Sequence, residues 1–490
     1  MLASRSNKGV ILALVCLVQF MVVLDIAIVN VALPSIQADL DLAQGTLQWL
    51  VTAYGLLLGG FLLLGGRLSD LFGARRVLVV GLVLFSAASL VAGLGQSAGV
   101  IIGARGVQGF GAALMAPSAL SILVRTFTEG ADRNRALGVF GAVGGTSASV
   151  GVIASGLLTD GPGWRWVFFI NIPVGIALMA MALTLLSKDE PYKQKRRFDT
   201  AGAVTVTSSL LTFVYALHRG AEHGWASALT LSLFAASAVL MAIFVMVEAR
   251  TAEPLFPGRV LKNRTLIVSN TMAFFIFGAF FSFIFLGSLL MQQVLGYSPT
   301  RTGVFWLATS VMGFVVAGIT GQKLANTVGP QKLLIAGMAC LAASVLWLAR
   351  VPADATYWAD LFGPFVLAGI SIGLSAVSVQ IGALSGVTTS AAGLAAGLVE
   401  TMREIGGAVA IAAVSTVLIS SGREVAQLTD PAAQQATLLD GFQTAFLVTC
   451  ALAIAGLLLA AFGYPRIKPE GGKETAADTS KAPAKSPRRT

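Results

Sequence analysis

The chain has 490 residues, of which 56% are hydrophobic and only 11% charged, with a mean hydropathy of +0.82. Soluble proteins carry roughly 25% charged residues, so the composition excludes a soluble enzyme or scaffold and points to a polytopic membrane protein. The formal charge of +10 lies mainly in short links between apolar runs, which is the positive bias of cytoplasmic loops rather than a nucleic-acid footprint.

A membrane crossing needs about 20 apolar residues. On that criterion spans are predicted at 10–32, 47–65, 77–95, 99–123, 136–158, 166–186, 201–218, 227–247, 266–293, 302–321, 332–349, 358–380, 396–419 and 442–463. The first begins like a signal peptide, after Arg5 and Lys8. It runs on to Val31 through Asp25 without a small-residue cleavage site, so it reads as the first span. Fourteen crossings put both termini on one side. Basic residues favour that side over the other by about five to one, which predicts cytoplasmic termini. Trp49, Trp164, Trp166, Trp225, Trp347 and Trp358 fall at predicted outer ends, as an interfacial belt would. The stretch 464–490 is rich in Lys, Pro, Ala and Glu and reads as a disordered basic tail.

Within the first span, Asp25 is an ionisable group in the bilayer, which costs at least about 2.5 kcal/mol and is functional by default. It sits seven residues, roughly 10 Å, from the outer end. Arg105 lies at similar depth in the fourth span, with Gln108 on the same helical face. Asp25 and Arg105 are expected to pair, either as a static bond between packed helices or as a site that titrates when their contact changes. Between spans two and three runs Gly66-Arg67-Leu68-Ser69-Asp70-Leu71-Phe72-Gly73-Ala74-Arg75-Arg76, a charged turn bounded by glycines. Leu324 to Lys332 repeats it after span ten: Asn326 matches Asp70, Gly329 matches Gly73 and Lys332 matches Arg76. Mapping spans 1–6 onto 9–14 makes spans 7 and 8 an inserted pair.

Span five carries Gly141, Gly145, Gly151 and Gly156, spaced for close packing or for a hinge. Span nine carries seven phenylalanines, including Phe281. They face lipid, pack, or line a greasy pocket. In span thirteen Glu400 and Glu404 share a face, and Arg403 can pair with Glu400. The trio is either a neutralised cluster or a site for a cation or a second proton. Cys16, Cys340 and Cys450 lie in apolar runs, and His218 and His223 form no ligand set, so no metal is expected. No Gly-x-x-x-x-Gly-Lys-[Ser/Thr] pattern is present. No enzyme chemistry and no cofactor are expected.

The Gly66–Arg76 turn, Leu24–Pro34, Arg105–Gly111, Trp164–Gly175 and Gln292–Pro299 together resemble the fourteen-helix drug:proton antiporter branch of the major facilitator superfamily, the QacA/EmrB-like multidrug exporters. The resemblance spans about residues 8–464. It implies an all-α fold of two six-helix bundles, 1–186 and 266–463, joined by an inserted region at 187–265. It also implies export of small amphipathic drugs by proton influx, with no nucleic-acid partner and a monomer as the working unit in the bacterial cell membrane. Asp25 and Arg105 would couple the proton. Asn30, Gln108, Glu400, Glu404 and Phe281 are this chain's own candidates to face the cavity; Glu400 and Glu404 stand where the family commonly has Asn and Gln, and these extra acids suggest a preference for cations. Gly66, Arg67, Asp70, Gly73, Arg75 and Arg76 would form the cytoplasmic gate. Span five departs from the family, with Gly151-Val152 and Ser155-Gly156 where Gly-Pro and Gly-Gly are usual, so the kink is not expected. A dedicated exporter of one endogenous metabolite, such as a self-made antibiotic or a siderophore, and a non-transporting sensor are the alternatives.

Overall fold

The computed structural model describes residues 5–42, 44–187, 199–251, 254–256, 263–388, 391–425 and 427–465. The basic run 188–198, the segment 257–262 and the tail 466–490 lie outside the described residues. Long helices account for nearly everything else: α1 (Arg5–Leu40), α2 (Gln44–Phe72), α3 (Ala74–Leu94), α4 (Ala98–Thr126), α5 (Ala131–Asp160), α6 (Trp166–Leu185), α7 (Thr200–His223), α8 (Ala228–Arg250), α9 (Arg264–Val294), α10 (Thr300–Thr327), α11 (Pro330–Leu348), α12 (Tyr357–Leu384), α13 (Ala392–Val425) and α14 (Ala433–Gly463). Each predicted span falls on one of them. Thirteen of the described helices are long and apolar enough to cross a membrane. The remaining one, α5, is 30 residues long and packs along α1 and α10. Helices are the expected solution, because each satisfies its own backbone hydrogen bonds in hydrocarbon. This is a multi-pass membrane protein.

One apolar core draws on Leu14, Leu82, Phe85, Met115 and Phe140 of α1–α5. A second draws on Phe283, Trp306, Phe365, Phe442 and Phe446 of α9–α14. Ala392, Ala395 and Ala396 at the start of α13 belong to the first core, so the two regions meet there. The first and last described residues lie at this end of the bundle, called here the terminal end. Lys8 approaches Asp132 at 4.0 Å, and the Tyr464 hydroxyl lies 3.1 Å from Ser269 Oγ near the start of α9.

Two backbone approaches close the terminal end. A Cβ on Gly66 of α2 would lie 2.2 Å from the Gly393 carbonyl of α13, and one on Gly138 of α5 would lie 2.7 Å from Gly321 Cα of α10. Only glycine permits such contact between helices. The repeat is visible in the backbone as well. Gly73 and Gly329, with φ of 96° and 87°, sit at the starts of α3 and α11, in a region that L side chains rarely adopt.

The tryptophan belt is partial. Trp166, Trp347 and Trp358 are exposed, but Trp164 is buried and its indole N–H donates to Asp39 Oδ2 at 3.1 Å. The indole of Trp225 donates to Thr416 Oγ1 at 2.8 Å, which ties the α7–α8 link to α13.

Candidate functional site

Asp25 is fully buried in α1 and Arg105 nearly so in α4. Arg105 Nη1 donates to Asp25 Oδ2 at 2.5 Å and to Gln108 Oε1 at 3.0 Å, and its Nε donates to the Leu50 carbonyl at 3.1 Å. The guanidinium also lies over the Tyr54 ring, 4.2 Å from the centroid, a favourable cation–π geometry. Asp25 Oδ1 accepts from Asn171 Nδ2 at 2.8 Å and more weakly from Gln108 Nε2 at 3.3 Å, and Gln108 Nε2 also donates to Ser89 Oγ at 2.6 Å. Five helices therefore meet in one hydrogen-bonded network around this carboxylate. The predicted pairing of Asp25 with Arg105 is present. Gln108, a candidate to face the cavity, is completely buried inside this network.

Three participants were not singled out from sequence. Asn171 was visible only as part of the Trp164–Gly175 stretch. Tyr54 and Ser89 carry no charge that would mark them within apolar spans.

The second cluster lies on α13. Arg403 Nη1 meets Glu400 Oε2 at 2.6 Å, and Nη2 meets Glu404 Oε1 at 3.0 Å. Glu400 is buried while Glu404 is partly open. The expected Glu400–Arg403 pair is present. Two carboxylates share one guanidinium, and Phe277 lies 5.7 Å beneath it. Glu400 thus sits inside the protein. Phe281 is half-buried and covers Gly407 of α13. Phe280 and Phe283 sit in the α9–α14 core. Asn30 is exposed on α1, with its amide turned back to the Ile26 carbonyl at 2.9 Å.

The third cluster closes the terminal end. Asp70 is buried at the end of α2. Its Oδ1 accepts from Gly393 N–H at 2.9 Å, its Oδ2 from Leu394 N–H at 2.8 Å, and Arg125 Nη2 donates to Oδ1 at 2.9 Å. A carboxylate thereby satisfies two orphan donors at the N-terminus of α13, where the helix dipole favours negative charge. On the other diagonal Asn134 Nδ2 of α5 donates to Asn326 Oδ1 of α10 at 2.7 Å. Glu129 Oε1 accepts from Gly386 N–H at 2.9 Å.

The remaining gate residues divide. Arg67 Nη2 donates to the Pro254 carbonyl at 3.2 Å. Arg75 does not reach across the two regions: it donates to the Ala182 and Leu183 carbonyls at the end of α6. Arg125, not Arg75, pairs with Asp70, because α4 ends beside α2. Arg76 is exposed at the start of α3.

Among the span-five glycines, Gly151 packs on α1, where a Cβ would lie 2.8 Å from Ala27 Cβ, and Gly141 faces Val377 at 3.3 Å. Gly156 has nothing within 4 Å of an added Cβ, so it is not a packing residue. The surroundings of Gly145 lie outside the described residues. Ser155, at one of the departures from the family pattern, donates to the Ile28 carbonyl of α1 at 2.6 Å. Outside the membrane, Asp39 accepts from Arg165 Nη1 at 2.8 Å as well as from Trp164. The Arg165 hydrogen bond, and then that of Trp164, hold its carboxyl below the usual carboxylate range. Among the described residues no group of His, Cys, Asp and Glu has metal-site geometry.

The sequence matches the Major Facilitator Superfamily over residues 15–411. It is 35% identical to the puromycin resistance protein of Streptomyces alboniger over 457 residues, covering 92% of this chain and 89% of that one. It is 36% identical to the cephamycin export protein of Amycolatopsis lactamdurans over 418 residues, 85% of this chain and 86% of that one. In fold it is similar to the human organic anion transporter MFSD10, with a TM-score of 0.67 at 13% identity, covering 94% of this chain and all of that one.

Proposed function

The chain belongs to the major facilitator superfamily, and on that premise we propose that this transporter exports antibiotics or other small amphipathic drugs in exchange for protons, by alternating access. Relatives that span most of it include a puromycin resistance protein and a cephamycin exporter, which supports export and resistance. The basic bias of the links supports a cytoplasmic terminal end. The closure by Asp70, Gly66 and Gly138 then supports a state shut toward the cytoplasm.

The observation that carries the reading is the enclosure of Asp25. The ionised carboxylate is matched to Arg105 and held by Asn171. One proton on Asp25 removes that match. Arg105 would then keep its charge with only a carbonyl, an amide and an aromatic ring for partners. An unmatched charge in a dry site is costly. Proton binding and the packing of α1 on α4 are therefore one event. In this reading α1–α6 and α9–α14 rock against each other about the cavity, with α7 and α8 as the inserted pair. Exchange of one proton for one monovalent cation moves no net charge and draws on ΔpH alone. A neutral drug would also draw on the potential, worth about 2.3 kcal/mol per charge per 100 mV.

A second reading, one dedicated antibiotic made by the host itself, is favoured by the relatives named for single compounds. Inverted vesicles acidified by respiration and followed with an acridine dye separate the two. Drug-induced dequenching by many cationic and neutral drugs supports a multidrug exporter. Dequenching by one chemical class supports the dedicated exporter, and none by any compound rejects proton-coupled export.

A further inference from the structure

The inserted pair is fastened to the latch. After α8 the short segment Pro254, Leu255 and Phe256 turns back toward α2. Glu248, in the last turn of α8, accepts the Leu255 N–H on Oε1 at 2.9 Å and the Phe256 N–H on Oε2 at 3.1 Å. From the other side Arg67 of α2 donates to the Pro254 carbonyl at 3.2 Å. All three consecutive residues are thus held through their backbone, by two charged side chains from two different helices. The Phe256 ring meets Phe244 of α8 edge-on, with centroids 6.0 Å apart.

The side chain between them is the wedge. Leu255 is 3% exposed and packs in one cluster with Leu63 of α2, Val206 of α7 and Leu394 of α13. Leu394 supplies one of the two N–H groups that Asp70 holds. Arg67 stands three residues before Asp70 on the same helix. A single leucine therefore sits on both partners of the terminal closure. A small void bounded by Leu63, Arg67, Leu255 and Leu394 lies beside it.

We propose that the Pro254–Phe256 segment is an interdomain clip through which the inserted helix pair holds the terminal end closed, and which must release before that end opens. It rests on the rocking motion proposed above. The pair α7–α8 is then part of the gate rather than a passive spacer. Glu248 and Arg67 are positioning residues for the clip. Either anchor lost leaves charged or polar groups unmatched in a largely apolar setting, and the cost falls on the closed state alone.

The test uses the full chain in detergent with spin labels on F72C and V328C, two exposed positions at the terminal end of α2 and of the α10–α11 link. The open-end population is read from the long-distance component in otherwise native protein, Leu255→Ala, Glu248→Gln and Asp70→Asn. Loss of a buried hydrogen bond or apolar wedge predicts a rise of about fivefold in the open population for both clip variants. A rise in the clip variants and in Asp70→Asn supports clip and latch together. A rise in Asp70→Asn alone overturns the clip and keeps the latch. A rise in the clip variants alone keeps the clip and rejects the latch. No rise in any variant overturns both. Glu248→Gln keeps the side-chain shape, so it reads the clip even if Leu255→Ala does not fold.

Discussion

Asp70 and Asn326 occupy equivalent places in the two repeats, and each reaches across to the other one. Each stands three residues before a glycine of positive φ, Gly73 or Gly329. Asp70 accepts backbone N–H groups of Gly393 and Leu394 on α13, and Asn326 accepts the amide of Asn134 on α5. The two diagonals are unequal in chemistry. One is charge-assisted and sits on a helix dipole, and the other is a neutral amide pair. Charge-assisted bonds are roughly twice as strong as neutral ones, so the α2–α13 diagonal carries more of the closure.

That inequality sets the first prediction. Asp70→Asn loses the Arg125 pair and weakens both bonds to α13, and drug transport falls about tenfold. Asn326→Ala falls only about two- to threefold, since it loses one neutral bond. Initial rates of export from the same cells measure both. Equal losses would contradict the unequal diagonals.

Much of this was legible in sequence, for physical reasons. Apolar run length found the spans, because hydrocarbon tolerates little else. Equal depth from the outer side paired Asp25 with Arg105. The glycine match at Gly73 and Gly329 found the repeat, because that backbone conformation demands glycine. Other features were hidden. Asn171 reaches Asp25 through the crossing of α6 against α1, which linear spacing does not encode. Which arginine meets Asp70 depends on the neighbours of α2, and α4 supplies Arg125 there. Gln108 shares a helical face with Arg105 in the sequence, but its bonds to Asp25 and Ser89 depend on how α1 and α3 pack against α4. Glu248 lies just past the predicted span 227–247, and its two bonds to the following segment exist only after the chain turns back.

Asn171 supplies the second prediction. Asn171→Leu leaves Asp25 Oδ1 with only the long Gln108 contact and costs about 1–3 kcal/mol of stability. Thermal unfolding of the purified variant shows the drop. Asn171→Ser, with a shorter donor, recovers part of it. A melting temperature unchanged in the leucine variant would show that this bond contributes nothing.

The glycine crossing on the second diagonal gives a third. A valine at Gly138 would drive into Gly321 of α10 and cost about 1–3 kcal/mol of closure. Gly138→Val opens the terminal end and slows transport. Gly156→Val, at a site with nothing nearby, changes neither. Transport rates of the two variants, compared at equal expression, check this.

The Asp39 clasp on the opposite side yields a pH prediction. Arg165 and Trp164 depress the Asp39 carboxyl. A depressed acid contributes stability above its unfolded range and loses it as pH falls through its folded value. The clasp is therefore constant near neutral pH and lets go only below about pH 4. Trp164 fluorescence should stay flat from neutral pH down to that range and then change. Asp39→Asn should show no such step. A step near pH 6 would assign the change to some other group.

The central claim is that Asp25 carries the coupled proton. The most direct measurement is drug-induced proton release from inverted vesicles, run with native protein and Asp25→Asn, together with drug-for-drug exchange in the same vesicles. The account predicts that the variant loses proton release and keeps exchange, because exchange requires rocking but no net proton transfer. Proton release at the native level in Asp25→Asn would contradict it and would move the coupling to Glu400 or Glu404.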